Sequence, residues 1–193
     1  MAEFVKDRPD VDVSVMTRTS IKVHEWIASQ QYDVGIAEML DQRESINIQP
    51  IRLECVCALR KDDPLAEKEV LTPDDLDNAP MASLFREHFT YQDAKRVFAE
   101  AGRRFRTRFE LSVFVPGFTL VEQGVAYCLV DQINAASYRL YRGDQGVLTF
   151  RPFRPRLPYD IAVLTPVHRP PSLLATAFCE RIDHEVKRFI ETV

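Results

Sequence analysis

Residues 109–131 read FELSVFVPGFTLVEQGVAYCLVD, and this stretch predicts the central part of the fold. Apolar and polar side chains alternate over 109–115, which is typical of a half-buried β-strand. A Pro-Gly pair ends this strand, and a short apolar helix follows that stops at Gly124, because glycine adopts positive φ at low cost. The apolar run 125–130 predicts a buried strand of a parallel sheet, which ends at the acidic residue Asp131.

The ends of the two predicted strands indicate a ligand pocket. In open α/β sheets, ligands bind beyond the carboxyl ends of the strands. Residues 114–117 follow the first strand and Asp131 follows the second. We therefore expect both segments to face one crevice.

The composition is that of a soluble globular protein. The chain has 193 residues, of which 46% are hydrophobic and 28% are charged, so it fits one ordinary domain or two small lobes. Its apolar runs are far shorter than the roughly 20 residues of a membrane-spanning helix. The N-terminal residues 1–9 lack the apolar core of a secretory signal. These features predict a cytoplasmic protein with no membrane partner.

The charge argues against binding of nucleic acid by this chain alone. The net charge is −4 and the pI is about 5.6, whereas affinity for a phosphate backbone comes from clustered cations. Four arginines form the basic cluster of the sequence, and a solvated sheet face explains them better than a DNA contact. They are Arg103, Arg104, Arg106 and Arg108.

No metal or cofactor site is predicted. The four cysteines lie in apolar contexts that are typical of small buried thiols. They are Cys55, Cys57, Cys128 and Cys179. A metal site at Cys55 and Cys57 is the alternative, but neither a CxxC pair nor clustered histidines accompany them.

Strands and helices alternate along the whole chain, which predicts an α/β fold with mostly parallel sheets. The predicted strands are 11–15, 33–37, 52–59, 105–109, 109–115, 125–130, 148–153 and 159–165. The predicted helices are 1–8, one that begins at the N-cap Ser20, a short one at 72–75, 94–101, 118–121, 133–140 and one that begins at Pro171. The long strands 52–59 and 159–165 suit two hinge strands that join two lobes.

Several segments, in this order and spacing, resemble the effector-binding domain of LysR-type transcriptional regulators. They are RPDVDVSV at 8–15, YDVGIA at 32–37, LRKDDPLA at 59–66, TPDDL at 72–76 and LVEQGVAYCLVD at 120–131. The LVD end and RPF at 151–153 are similar to the branch that contains the lysine, octopine and nopaline regulators.

The resemblance implies a two-lobed α/β fold like that of type 2 periplasmic binding proteins, with a small-molecule effector bound in the cleft between the lobes. Lobe one would contain residues 1–58 and 160–193, and lobe two residues 59–159. Family members carry an N-terminal winged helix-turn-helix and a linker helix, which are absent from this chain. The first strand of lobe one is absent as well, so DNA would be contacted only through the missing part.

The resemblance also implies which residues contact the effector. They are Thr17, Arg18, Thr19 and Ser20 of lobe one, and Leu84, Phe85, Arg86, Phe114, Val115, Pro116 and Asp131 of lobe two. A helix start after the first loop and a bidentate Arg86 would bind a carboxylate, and Asp131 would bind an amino group, which suits an amino acid or an opine.

Simpler interpretations remain open for several of these residues. Phe85 and Phe114 would then be core, Arg86 a surface ion-pair partner and Asp131 a helix cap. In addition, residues 114–116 replace the polar residues that the family usually has at this strand end. This departure favours a more apolar or aromatic effector, such as an aromatic acid.

The predicted function is that of a sensor, in which effector binding shifts the packing of a homodimer or homotetramer and thereby the spacing of its DNA-binding domains. A solute-binding protein of a transport system is the alternative, which the lack of a signal and the free cysteines disfavour. An enzyme is not expected, because the sequence contains no nucleophile elbow, no dinucleotide or phosphate loop and no HExxH motif.

Overall fold

A computed structural model of the protein describes residues 1–40 and 44–190. Along these residues the helices and strands follow in the order α1 (Ala2–Lys6), α2 (Ser20–Ala28), β1 (Gly35–Glu38), β2 (Ile46–Ile51), β3 (Cys55–Arg60), β4 (Pro80–Leu84), α3 (Phe89–Glu100), β5 (Arg106–Leu111), α4 (Val115–Glu122), β6 (Tyr127–Asp131), α5 (Gln132–Arg142), β7 (Leu148–Pro152), β8 (Ile161–Pro166) and α6 (Leu173–Ile190). Short 3₁₀ turns occupy Pro64–Glu67 and Gly143–Gln145.

The chain divides into two compact units. The first contains Met1–Arg52 and Asp160–Arg188, and the second contains Leu53–Tyr159. The sequence analysis placed residues 53–58 in the first lobe. In the structure they belong to the second unit, because β3 pairs with β6 and β7 of that unit.

The first unit is built on a three-stranded sheet in the order β1-β8-β2, and both strand pairs are antiparallel. Helix α2 covers one face of this sheet. Its Ile27 is fully buried with Ala37 of β1, Ile46 of β2 and two residues of β8, Ala162 and Leu164. The apolar positions of α2 therefore explain why the helix packs on the sheet.

The second unit is built on a five-stranded sheet in the order β5-β4-β6-β3-β7. Strand β4 is parallel to β5 and β6, whereas β3 is antiparallel to β6 and β7. One apolar core lies on the face covered by α4 and α5, and includes Phe118, Val121 and Ala135. A second core lies on the face covered by α3, and includes Val97 and Phe98.

The prediction of mostly parallel sheets was wrong, since four of the strand pairs given above are antiparallel and two are parallel. Local sequence patterns do not carry strand direction. The predicted hinge strands were wrong in extent as well. Residues Arg52 and Leu53 precede β3, and Tyr159 and Asp160 precede β8, so the chain passes from one unit to the other outside its strands.

The strand predicted over 109–115 ends earlier than expected. β5 stops at Leu111, and Val115 begins α4, with Pro116 and Gly117 in its first turn. Proline fits there because its fixed φ is helical and the amides of a first turn have no intrahelical acceptor. Val113 and Val115 are consequently exposed rather than on the buried side of a strand.

Three shorter predictions were wrong. Residues 11–15 form no strand, because nothing in the described part of the chain pairs with them. Residues 73–78 form turns instead of a short helix, and Asp75 accepts hydrogen bonds from the amide and hydroxyl of Thr72 at 2.8 and 3.0 Å. Thr19, rather than Ser20, is the N-cap of α2.

Candidate functional site

The first-unit residues of the predicted site form the loop that leads into α2. Thr17, Arg18 and Thr19 are exposed, and Ser20 is half-buried. The Oγ of Ser20 accepts a hydrogen bond from the amide of Glu38 at 3.3 Å, which ties the start of α2 to the end of β1. Arg18 donates to the carbonyl of Thr17 at 2.8 Å. The loop therefore presents a cation and two hydroxyls to solvent at the start of a helix.

Leu84, Phe85 and Arg86 lie at the carboxyl end of β4 and have different environments. Leu84 is buried in the core beneath α4. Phe85 is 38% exposed. The Nε of Arg86 lies 3.4 Å from Oε2 of Glu110, and both side chains are largely exposed. Of the three, only Phe85 and Arg86 are accessible to a ligand.

Phe114, Val115 and Pro116 lie where α4 begins. Phe114 is the N-cap residue and is buried, with its ring centroid 5.7 Å from that of Tyr159. Val115 is 61% exposed, and Pro116 is exposed as well. The backbone of Phe114 thus places Val115 and Pro116 on the surface at this end of the unit.

Asp131 is the N-cap of α5 and is almost completely buried. Its Oδ1 accepts hydrogen bonds from the amides of Ile133 and Asn134 at 3.0 Å each, and its Oδ2 accepts one from Nδ2 of Asn134 at 2.7 Å. Burial raises the pKa of this carboxyl, and the hydrogen bonds from Asn134 and Ile133 oppose that shift. The geometry matches the helix-cap interpretation of the sequence, because the carboxylate oxygens are already bonded within the chain.

Sequence reasoning missed three aromatic residues that join Phe85 and Phe114 in one group, which we call the aromatic cluster. Its members are Phe85, His88, Phe89, Phe114 and Tyr159. Ring centroids are 5.4 Å apart for Phe85 and His88, 4.6 Å for His88 and Phe89, 5.5 Å for Phe89 and Tyr159, and 5.7 Å for Phe114 and Tyr159.

The sequence contains a signal for part of this group. Phe85, His88 and Phe89 follow β4 directly, at positions 85, 88 and 89, so a helix start after the strand brings them together. Tyr159 has no such signal, since it is far from them in the sequence. His88 caps α3, and its Nδ1 accepts a hydrogen bond from the amide of Thr90 at 3.2 Å.

Within residues 1–40 and 44–190, no three histidine, cysteine or acidic side chains lie together in a way that would hold a metal ion. All four cysteines are free, and three of them, Cys55, Cys57 and Cys128, are buried. Burial raises the pKa of each of these three thiols. They are therefore poor nucleophiles and poor ligands at neutral pH.

Among the described helices, none has the length and apolar character needed to cross a membrane.

Comparison with known proteins gives a consistent result. The sequence matches the LysR substrate binding domain family over residues 1–187. It is 27% identical over 191 residues to the transcriptional activator protein LysR of Escherichia coli K12. The match covers 98% of this chain and 60% of that protein. It is also 27% identical over 176 residues to the regulatory protein NocR of Agrobacterium tumefaciens T37, covering 91% of this chain and 57% of that protein.

Two solved structures illustrate the likeness in fold. The CcmR regulatory domain of Synechocystis PCC6803 in complex with 2-PG has a TM-score of 0.73 at 18% identity, covering 93% of this chain and 86% of that one. The effector binding domain of QuiR in complex with shikimate has a TM-score of 0.66 at 14% identity. The match covers 97% of this chain and 85% of that one.

The chain spans about three fifths of the length of the curated relatives it matches. The family match over almost the whole chain nevertheless confirms the resemblance and the fold class seen in the sequence. The protein belongs to the LysR substrate binding domain family, and its fold is the two-lobed α/β fold of type 2 periplasmic binding proteins.

Proposed function

We propose that this chain is the effector-sensing part of a LysR-type transcriptional regulator that acts in the cytoplasm. The observation that carries the proposal is the family match over residues 1–187, together with relatives that are a transcriptional activator and a regulatory protein. These relatives favour a regulator over a solute-binding protein of a transport system. DNA would be contacted by a winged helix-turn-helix outside this chain.

The effector is a small molecule, in this proposal an amino acid, an opine or an aromatic acid. Its contacts in the first unit are Thr17, Arg18, Thr19 and Ser20, since this loop is largely exposed and precedes a helix. Its contacts in the second unit are the accessible residues Phe85, Arg86, Val115 and Pro116. Leu84, Phe114 and Asp131, also proposed as contacts, are buried in the structure.

The mechanism is a shift of population and involves no covalent step. An effector that binds one conformation of the regulator more tightly than another moves the equilibrium by its difference in affinity. In a homodimer or homotetramer this difference changes how the subunits pack, and hence how the DNA-binding domains are spaced. No cofactor and no catalytic residue are needed for this function.

A thermal-shift screen of the chain with amino acids, opines and aromatic acids tests the proposal. A ligand at one hundred times its Kd adds about 2.7 kcal/mol to the free energy of unfolding, and for a chain of this size that raises Tm by roughly 5 to 10 °C. We expect at least one compound class to give such a shift. A screen in which no metabolite stabilises the chain, or in which a binding metabolite is chemically converted, would contradict the proposed function.

A further inference from the structure

The aromatic cluster lies at one end of the second unit, where the parallel strands β4 and β5 have their carboxyl ends. Phe85 and Phe89 are 38% and 37% exposed, although aromatic side chains are usually buried. Val113 and Val115, on either side of Phe114, are exposed as well. This end of the sheet is where open α/β folds bind ligands, and here it is lined by rings.

A second observation concerns two buried hydroxyls next to the cluster. The Oγ of Ser83 and the Oγ1 of Thr90 have no hydrogen-bond partner, and both residues are more than nine-tenths buried. Side chains alternate along β4, so Ser83 faces the same side as Met81, which packs with Val97 of α3. Thr90 lies in the first turn of α3. Both unpaired hydroxyls are therefore on the side of the sheet where α3 begins.

Leaving such hydroxyls unpaired is unfavourable, so they are available to donate hydrogen bonds to a ligand oxygen. A buried polar group without a partner destabilises the fold, and most native proteins avoid it. Helix α3 has twelve residues and begins beside these hydroxyls, and the first amides of a helix attract negative charge. Two hydroxyl donors at a helix start suit a carboxylate.

The loop that carries these groups is fixed by its own hydrogen bonds. The amide of His88 donates to the carbonyl of Phe85 at 2.9 Å, and Nε2 of Gln92 donates to the carbonyl of Arg86 at 2.5 Å. Such a loop presents the ring of Phe85 in a defined place. Preorganisation of this kind lowers the entropy cost of binding.

Two of the polar partners expected for an amino acid already have partners within the chain. Asp131, the acid expected to bind the ammonium group, has its oxygens bonded to Ile133 and Asn134. Glu110 is paired with Arg86, which in turn is the cation that was expected to hold the carboxylate. The engagement of Asp131 and Arg86 favours an effector without an ammonium group.

We propose that the second unit contains a site for an aromatic carboxylate, whose ring packs on Phe85, Phe89 and Tyr159 and whose carboxylate accepts hydrogen bonds from Ser83 and Thr90. The site rests on the proposed function and narrows the effector to one chemical class. Because both hydroxyls are covered in the structure, side chains at the end of β4 and the start of α3 have to move for the carboxylate to reach them.

Isothermal titration of the chain with matched probes tests the ring. The aromatic probes are benzoate, phenylacetate, cinnamate and indole-3-carboxylate, and cyclohexanecarboxylate has the charge and approximate size of benzoate without its π face. We expect the tightest aromatic acid to bind roughly three- to tenfold more tightly than its saturated counterpart. We expect Phe89→Leu to remove that preference, and Tyr141→Leu, at an exposed ring on α5, to leave it unchanged. Equal affinity for the aromatic and saturated acids would overturn the inference.

A pair of threonine variants tests the carboxylate. Thr90→Val keeps the shape of the side chain and removes the hydroxyl, so we expect it to raise Tm and to weaken aromatic acid binding about tenfold. Thr107→Val is the control, because Thr107 also has an unpaired buried hydroxyl but lies on β5. It should raise Tm and leave the affinity unchanged. If Thr90→Val leaves the affinity unchanged, the carboxylate does not contact that hydroxyl and the inference fails.

The screen separates this inference from the proposed function. If an amino acid or an opine binds and no aromatic acid does, the aromatic site is wrong and the sensor function stands. If neither these probes nor any other metabolite binds, both are contradicted.

Discussion

Asp131 shows how opposing effects set the charge of a single side chain. Burial raises the pKa of its carboxyl, whereas hydrogen bonds from the start of α5 lower it, and burial has the larger effect. The folded protein therefore keeps this proton to a higher pH than the unfolded chain does. A carboxyl with a raised pKa makes folding less favourable as the pH rises from its ordinary pKa, near 4, through its folded pKa.

The substitution Asp131→Asn removes this titration and retains a side chain that can cap α5. We expect the free energy of unfolding of the unmodified chain, minus that of the variant, to decrease as the pH is raised from about 4 to 7. Urea unfolding of both proteins at several pH values measures this difference. A difference that increases with pH would show that the hydrogen bonds, not burial, control the group.

Residues whose role depends on near neighbours could be predicted from the sequence. The cap role of Asp131 was one of its two interpretations, and Gly124 has the expected positive φ, 66°, just after α4. The ion pair of Arg86 with Glu110 was likewise an open alternative. Tyr159 could not be predicted as a partner of Phe89, because only the folded chain brings residues so far apart in sequence together.

At the scale of elements, α2 and β1 approach each other closely at Gly35. A Cβ on this residue would lie 2.8 Å from Cγ1 of Val23 and 3.0 Å from Cγ1 of Ile27. Ile27 is fully buried, and Val23 is β-branched and has few alternative rotamers. A Cβ at this position therefore requires α2 or the side chain of Val23 to shift.

We expect Gly35→Ala to lower the free energy of unfolding by about 1 to 3 kcal/mol, because it overpacks the contact between α2 and β1. Val23→Ala removes the closest atom, so the cost of Gly35→Ala should be smaller in a Val23→Ala background. A double-mutant cycle by urea unfolding measures this coupling. If the double variant loses the sum of the free energies of unfolding lost by the two single variants, the contact between residues 23 and 35 does not limit the packing of α2 on β1.

Helices and strands could be predicted where the hydrophobic pattern of a segment agrees with the partners that it finds in the fold. Helices α2, α5 and α6 and strands β6, β7 and β8 lie close to their predicted positions. Strand β2 was missed because it contains Pro50, which usually excludes a strand. It is tolerated here because β2 is at the edge of its sheet. Residues 11–15 have a strand pattern without a pairing strand in the described chain, so the pattern alone was misleading.

At the scale of the whole molecule, the order of short segments predicted the fold better than any single element did. Individual patterns misjudged strand direction, yet the family resemblance correctly implied the two-lobed α/β fold. Directions and partners of strands depend on contacts between distant residues. A match spread over the chain carries that information, whereas local periodicity does not.

Self-association is expected for a regulator of this family, and sedimentation velocity of the chain measures it. The proposal of a homodimer or homotetramer predicts a species of at least twice the 22.3 kDa mass of the chain as the concentration is raised. A species that stays monomeric throughout the concentration series would contradict it.

The two ends of the second unit are bonded to each other. The amide of Tyr159 donates to the carbonyl of Leu53 at 3.1 Å, and the amide of Cys55 donates to the carbonyl of Leu157 at 2.8 Å. The unit is thus an insertion with adjoining termini, a property of segments that tolerate excision and circular permutation. We therefore expect residues 53–159 to fold as a separate polypeptide, on which the aromatic cluster can be studied in isolation.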